Sequence, residues 1–340
     1  MILAGGMSTR LYPLTKQVPK PLVPIAGEAN SGHLMRYLRS FGIEEIAINV
    51  HYLADKIVDA FGDGSRYGVK LRYLHEHTLL GSAGAVKQME DFLKDDTFVV
   101  IGCDEITDMR LDELTSFHAR RKALASIALV HADDVTQYGV VIVDSQGRIE
   151  DFQEKPAQGT ERSHLVNTGV YVFEPSIFER IPAAEFWDFG RNVFPELQRD
   201  AAPFYGLEMH GAYWRDIGTP SEYRLATRDV LAGKVHLQGE ARARGVAPDA
   251  VVGEDVHMEG DVRVGSRARI GDGARIIGPT VIGNGVVVGS GATIDSSILW
   301  DGAKVGKRAR VADSIVGIDY DIAPGAAIEG AIVANVPPTH

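Results

Sequence analysis

The first residues able to do chemistry arrive within ten positions of Met1. Leu3-Ala4-Gly5-Gly6 reads as the end of a first strand turning toward a helix, and backbone amides at such a turn can face an anion. Two glycines let the main chain approach a ligand closely. Ser8, Thr9 and Arg10 add two hydroxyls and a permanent charge with forked donors. Soon after, Lys20 stands between Pro19 and Pro21. Proline on both sides fixes φ and predicts an extended segment that aims the ammonium group. Standing alone, the glycine pair reads as an ordinary strand-to-helix turn, and the proline pair as a surface turn.

These groups need elements to hold them, and 340 residues with 45% hydrophobic content suffice for about two domains. Up to about Val230, short apolar runs alternate with amphipathic stretches. Residues 46–50, 98–101, 126–130 and 169–173 read as strands, and 33–41, 53–61, 84–93 and 111–122 as helices. That alternation predicts an α/β domain with a Rossmann-like, mostly parallel sheet and sites at the carboxyl ends of its strands. The net charge of −11 argues against a broad nucleic-acid surface. The single cysteine, Cys103, leaves no intrachain disulfide and no multi-cysteine zinc site. With no apolar run of about 18 residues and no secretory pattern at the start, the expectation is a cytoplasmic protein without membrane contact.

Past about Lys234 the period changes to six. Val252, Met258, Val264, Ile270, Ile276, Ile282, Val288, Ile294 and Trp300 are evenly spaced and all apolar, and small or β-branched residues recur four positions after each of the first eight. This is the pattern of a hexapeptide β-helix, in which each coil buries its apolar face against the next. At Trp300 the register slips, because Val305 follows after five residues. The slip reads as a turn insertion before a capping coil or as a shift of strand register, with about three coils in all. The domains predicted are 1–232 and 247–340, joined by a linker over 233–246.

In combination the motifs resemble a known family. "LAGGMSTRLYPLT" followed by "PKPLVPIAG", then "LLGSAGAV", "GCDEITD", "FQEKP", "NTGVYVFEP" and "YWRDIGTPSEY" occur in the order shown by the sugar-1-phosphate nucleotidyltransferases, or nucleotide-sugar pyrophosphorylases. The resemblance covers essentially the whole chain and implies that the C-terminal repeat is a left-handed parallel β-helix. It also implies transfer of a nucleoside monophosphate from a nucleoside triphosphate to a sugar-1-phosphate. The nucleophile then arrives with the substrate, so the protein has only to align two polyanions and offset their charge. Mg²⁺ suits that task, since it takes one or two carboxylates together with phosphate oxygens.

By the same resemblance, Asp104 and Asp216 are the metal carboxylates; without it, each reads as a loop cap. Arg10 grips the outer phosphates, and Lys20 bridges the α-phosphate and the sugar phosphate. Leu3, Ala4, Gly5, Gly6, Ser8 and Thr9 line the triphosphate, while Gly81, Ser82 and Gly84 lie beside base and ribose. Lys155 binds the sugar phosphate, and Gly139, Glu154, Asn167 and Thr168 meet the sugar. Glu76 is either a carboxylate acceptor for the paired N–H donors of guanine or a solvated loop residue.

The chain departs from the family pattern at Ser8, where glycine is usual, at Gly102-Cys103 before Asp104, and at Glu28-Ala29-Asn30-Ser31-Gly32, expected at the sugar end of the site. The leading expectation is GTP with mannose-1-phosphate. Glucose-1-phosphate adenylyl-, uridylyl- or thymidylyl transfer and an unusual sugar or cyclitol phosphate are alternatives. A non-catalytic regulatory relative is a reading of a different class, and so is an acyltransferase using His257. A homo-oligomer through the β-helix is expected. The first strand is either very short or completed by residues upstream of Met1.

Overall fold

The computed structural model describes residues 1–238 and 244–336, with Glu154 described through its backbone alone. The expected linker therefore lies partly outside the described residues. By packing, the chain forms two compact units: Met1–Gly6 with Leu34–Asp216, and Met7–His33 with the chain from Ile217 onward.

The first unit is built on a nine-stranded sheet. Its central strand is only Ile2–Leu3, parallel to Glu45–Val50 on one side and Phe98–Gly102 on the other. Glu45–Val50 continues in parallel to Lys70–His75. Ile46, Ala47, Ile48 and Val50 are all buried, as expected where both faces of a parallel strand are covered. Beyond Phe98–Gly102 the sheet turns antiparallel through Leu165–Phe173, which leads to Gly139–Val143 and Ile149–Glu154. Ala125–His131 also pairs with Leu165–Phe173, and carries Phe204–Glu208 in parallel at its other edge.

The helices follow the amphipathic stretches: Asn30–Ser40, Ala54–Phe61 and Leu111–Arg121, with the expected 84–93 helix divided into Gly81–Gln88 and Glu90–Leu93. One aromatic cluster packs the antiparallel side, with Phe173 stacked on Phe189 at 4.8 Å and Phe194 against Phe204 at 5.0 Å. Asp188 starts the turn that delivers these rings, its carboxylate accepting from the amides of Gly190 and Arg191.

In the second unit, parallel strands stack as three sheets of six, five and five strands, consistent with a left-handed β-helix. Val264, Ile282, Leu299, Val316 and Val333 form one column; Met258, Ile276, Ile294, Val311 and Ile328 form another. The stack is thus longer than the three coils expected. The slip at Trp300 is a register shift and no insertion, because Leu299 continues the column from Ile282 after seventeen residues where Ile282 follows Val264 after eighteen.

The shortened corner recurs in each later coil and is closed by hydroxyls. Ser297 N–H donates to Thr280 Oγ1, Ser314 N–H to Ser297 Oγ, and Ala331 N–H to Ser314 Oγ. Each of the two serine hydroxyls in turn donates to a carbonyl two residues before it, at 2.6 Å. Thr280, Ser297 and Ser314 are all buried, so the ladder satisfies amides that a tight interior corner would otherwise strand.

Candidate active site

Sites in parallel sheets lie where strands end, and Leu3–Gly6 leaves the central strand there. Cys103 donates its amide to Leu3 O at 3.0 Å, so the Gly102–Asp104 turn runs beside the glycine turn. Asp104 begins the return into Glu105–Thr107, which pairs antiparallel with Trp214–Asp216 and puts Asp216 directly opposite Glu105. Asp104 is thus the neighbour in sequence of the residue that Asp216 faces, more than a hundred residues away along the chain. Directly paired residues in such a ribbon have Cβ atoms about 5 Å apart.

The glycines have distinct reasons. A Cβ on Gly5 would come within 2.7 Å of Glu76 Oε2 and 2.8 Å of Asn49 Nδ2, whereas Gly6 has nothing within 4 Å. A side chain on Gly102 would meet Asp104 Oδ1 at 2.8 Å. Beneath the turn, Asn49 accepts from the Ala4 amide at 2.8 Å and donates to Glu76 Oε2 at 2.6 Å; Leu80 N–H approaches the other Glu76 oxygen at 3.4 Å.

That arrangement corrects the reading of Glu76. The residue is 5% exposed, and its two oxygens accept from Asn49 Nδ2 and Leu80 N–H, so it is no solvated loop residue and it braces the turn. Gly81, Ser82 and Gly84 are likewise used by the protein itself. Ala83 and Gly84 donate their amides to Trp187 O, and Ser82 Oγ donates to Asp188 at 2.9 Å while accepting from Phe189 N–H. A Cβ on Gly84 would meet Glu185 O at 2.9 Å, and one on Gly81 would meet Trp187 O at 2.6 Å. These small residues admit the 185–189 segment, which engages the Gly84 amide and the Ser82 hydroxyl.

On the sugar side, Gly139 pairs with Glu154 at the mouth of an antiparallel ladder, and the Lys155 amide donates to Tyr138 O. Lys155 itself is exposed, with φ +43°. Asn167 accepts from Gly169 N–H and donates to Tyr171 Oη, and each end of the amide retains one further hydrogen-bonding site. Thr168 is 1% exposed and donates to Ala128 O, which braces the strand. Tyr138 and Trp214 were missed at the sequence level. They meet edge-on at 5.2 Å beside Gly139 and Asp216, with Trp214 Nε1 donating to Thr168 O. The signal was present, since each adjoins a residue already singled out.

The remaining expected residues belong to the second unit. Ser8 is left-handed, at φ +53°, and its carbonyl accepts from Thr15 Oγ1 at 2.8 Å and from Leu11 N–H. Thr9 and Arg10 are exposed on the short 3-10 turn Thr9–Leu11. Lys20 is buried to 9% exposure. It does not lie in an extended stretch: Lys20–Leu22 is a 3-10 turn, closed by Leu22 N–H to Pro19 O and Val23 N–H to Lys20 O. The turn forms because neither bond needs the amide that Pro21 lacks. The Glu28–Ala29 departure pairs with Pro24–Ile25 as a small hairpin, and a Cβ on its Gly27 would touch the Arg263 guanidinium of the β-helix at 2.5 Å. The turn that leads into the altered stretch therefore packs on the β-helix.

Among the described residues no group of three or more His, Cys, Asp or Glu side chains is arranged as a metal cage. A cation at the Asp104–Asp216 corner would draw on those two carboxylates and complete its shell with phosphate oxygens and water, which suits Mg²⁺.

Comparison with known proteins agrees with this architecture. Residues 1–233 match the family described as nucleotidyl transferase, and residues 258–336 match the GMPPB C-terminal domain. The chain belongs to the nucleotidyl transferase family, whose members generally use a divalent metal. It is 38% identical over 248 residues to a UTP–glucose-1-phosphate uridylyltransferase from Synechocystis, covering 69% of this chain and 64% of that one. It is 33% identical over 234 residues to a mannose-1-phosphate guanylyltransferase from Mycobacterium tuberculosis, covering 68% and 64%. The chain thus spans somewhat less than two thirds of the length of these relatives. The crystal structure of HddC from Yersinia pseudotuberculosis superposes with a TM-score of 0.59 at 29% identity, covering 66% of this chain and 96% of HddC.

Proposed function

We propose that the protein is a cytoplasmic, Mg²⁺-dependent sugar-1-phosphate guanylyltransferase that converts GTP and mannose-1-phosphate to GDP-mannose and pyrophosphate. The observation that carries nucleotidyl transfer is Asp216 standing opposite Glu105, beside Asp104. The choice of GTP and mannose-1-phosphate rests on the C-terminal match and on the guanylyltransferase relatives.

A phosphate oxygen of the sugar-1-phosphate attacks the α-phosphorus, the bond from that phosphorus to the bridging oxygen breaks, and pyrophosphate leaves with the electron pair. Asp104 and Asp216 would hold the divalent cation, which would neutralise charge on the phosphate oxygens. The Leu3–Gly6 turn and Thr9 line the triphosphate, and Arg10 takes up the charge that grows on departing pyrophosphate. Lys20 bridges the α-phosphate and the incoming phosphate, aligning attacker and target. Lys155 binds the sugar phosphate, and Asn167 offers its remaining donor and acceptor to sugar hydroxyls.

A second reading, uridylyl transfer to glucose-1-phosphate, is favoured by the Synechocystis relative. Pyrophosphate release measured with four nucleoside triphosphates against a panel of sugar-1-phosphates separates the two. Turnover should be highest with GTP and mannose-1-phosphate and should fall at least about a hundredfold in Asp104→Asn; no release from that substrate pair refutes the leading assignment. We also propose assembly as a homo-oligomer through the β-helix, supported by exposed Val246, Val251 and Val252 on its first strands. A monomer mass by light scattering would refute it.

A further inference from the structure

The turn that carries Lys20 is fixed from an unexpected direction. Lys20 O accepts from Val23 N–H, and the next residue, Pro24, opens the small hairpin to Glu28–Ala29. The Pro24 carbonyl accepts a 2.7 Å hydrogen bond from the hydroxyl of Tyr223, in the helix Pro220–Leu231. Tyr223 is wholly buried, and its hydroxyl accepts from Trp300 Nε1 at 2.9 Å. Trp300 is the residue at which the hexapeptide register slips: Leu299 takes the place in the column, which leaves the indole available for this contact.

The seam leaves little room to yield. Pro24, Gly27, Thr227, Leu299 and Trp300 enclose a void of about 10 Å³, at the lower limit for holding one water. Arg263 lies under Gly27, attracted by Asp301 and Glu28 while burial lowers its pKa. His33 reaches Ile25 O at 2.9 Å, next to Pro24 on the same strand of the hairpin. A segment pinned at so many points transmits a displacement of the β-helix corner instead of absorbing it.

We infer that the β-helix is a working part of the transfer site, with Tyr223, held by Trp300, as a positioning residue for Lys20. The inference rests on the phosphate-bridging role proposed above for Lys20. Removing the hydroxyl in Tyr223→Phe, or the indole donor in Trp300→Phe, releases Pro24 without removing any group that meets substrate. Misplacement by a fraction of an ångström weakens alignment more than ground-state binding. In each variant kcat falls about tenfold while KM for the nucleotide stays within about twofold.

The test is a double-mutant cycle with Lys20→Ala, read beside melting temperature and amide exchange. Tyr223→Phe should lower kcat in the wild-type background and add nothing on Lys20→Ala, and the Val23 and Asn30 amides should exchange faster. Val311→Ala, a core truncation elsewhere in the β-helix, should lower melting without changing kcat. An equal loss of kcat in both backgrounds, or unchanged kcat with lowered melting, overturns the inference. If turnover of Lys20→Ala is too slow to measure, exchange at Val23 and Asn30 decides, and unchanged exchange in Tyr223→Phe overturns it. Full turnover in Lys20→Ala alone would instead refute the proposed role of Lys20.

Discussion

Asn49 donates a 2.6 Å hydrogen bond to Glu76 beneath the Leu3–Gly6 turn, and the same amide accepts from Ala4 N–H. One side chain thereby joins the end of the central strand to the segment that leads into the Gly81–Gln88 helix. In Glu76→Gln, an amide N–H₂ must face either Asn49 Nδ2 or Leu80 N–H, setting donor against donor in a buried place. A loss of about 1–3 kcal/mol follows. Because the disturbance is in the turn, turnover should fall by the same factor with every nucleoside triphosphate. A loss confined to GTP would restore base reading to Glu76.

Ser8 occupies left-handed backbone at φ +53°, and its side chain caps nothing in the 3-10 turn that follows. Glycine adopts that conformation without steric cost, though it gives up more unfolded-state freedom. Ser8→Gly should therefore stabilise by about 0.5–1 kcal/mol, seen as a melting increase of about 2 °C. A lower melting temperature would show that the hydroxyl has a structural partner.

His118 lies in the interior of the first unit, with Nδ1 2.9 Å from Ser126 Oγ and Nε2 3.1 Å from Glu174 Oε1; Thr97 Oγ1 also donates to that carboxylate oxygen. Desolvation lowers the imidazole pKa from its usual 6.5, and Glu174 only partly opposes the shift. Below 6.5 the unfolded chain takes up a proton that the folded chain resists, so the stabilisation is complete above that pH and declines as pH falls. The urea midpoint should drop between pH 7.5 and pH 5.5, and by less in His118→Gln. An equal drop in both proteins would assign the pH dependence to other groups.

The two-part architecture was legible because each half has its own period, and periodicity is a local property. The approach of Asp216 to Glu105 was not, since only the pairing of Glu105–Thr107 with Trp214–Asp216 brings those segments together; the metal role of Asp104 and Asp216 came from family resemblance alone. The structural partners of Glu76, Ser82 and Thr168 were hidden for a related reason. A polar side chain looks the same in a sequence whether it faces a ligand or a neighbour, and burial depends on distant residues such as Asn49, Asp188 and Ala128. The Lys20 turn misled because proline restricts φ without forbidding a 3-10 turn.

The hydroxyl ladder of Thr280, Ser297 and Ser314 has a genetic consequence. Each rung joins one coil to the next through an amide donating to a hydroxyl, and the hydroxyl donates in turn to a carbonyl of its own coil. A seventeen-residue block could then be duplicated or excised in frame at this corner, and every surviving rung would find an equivalent neighbour. A change of one or two residues would instead rotate all the following coils out of line. Lineages carrying this tail should therefore vary its length in whole coils, each gained or lost as a unit.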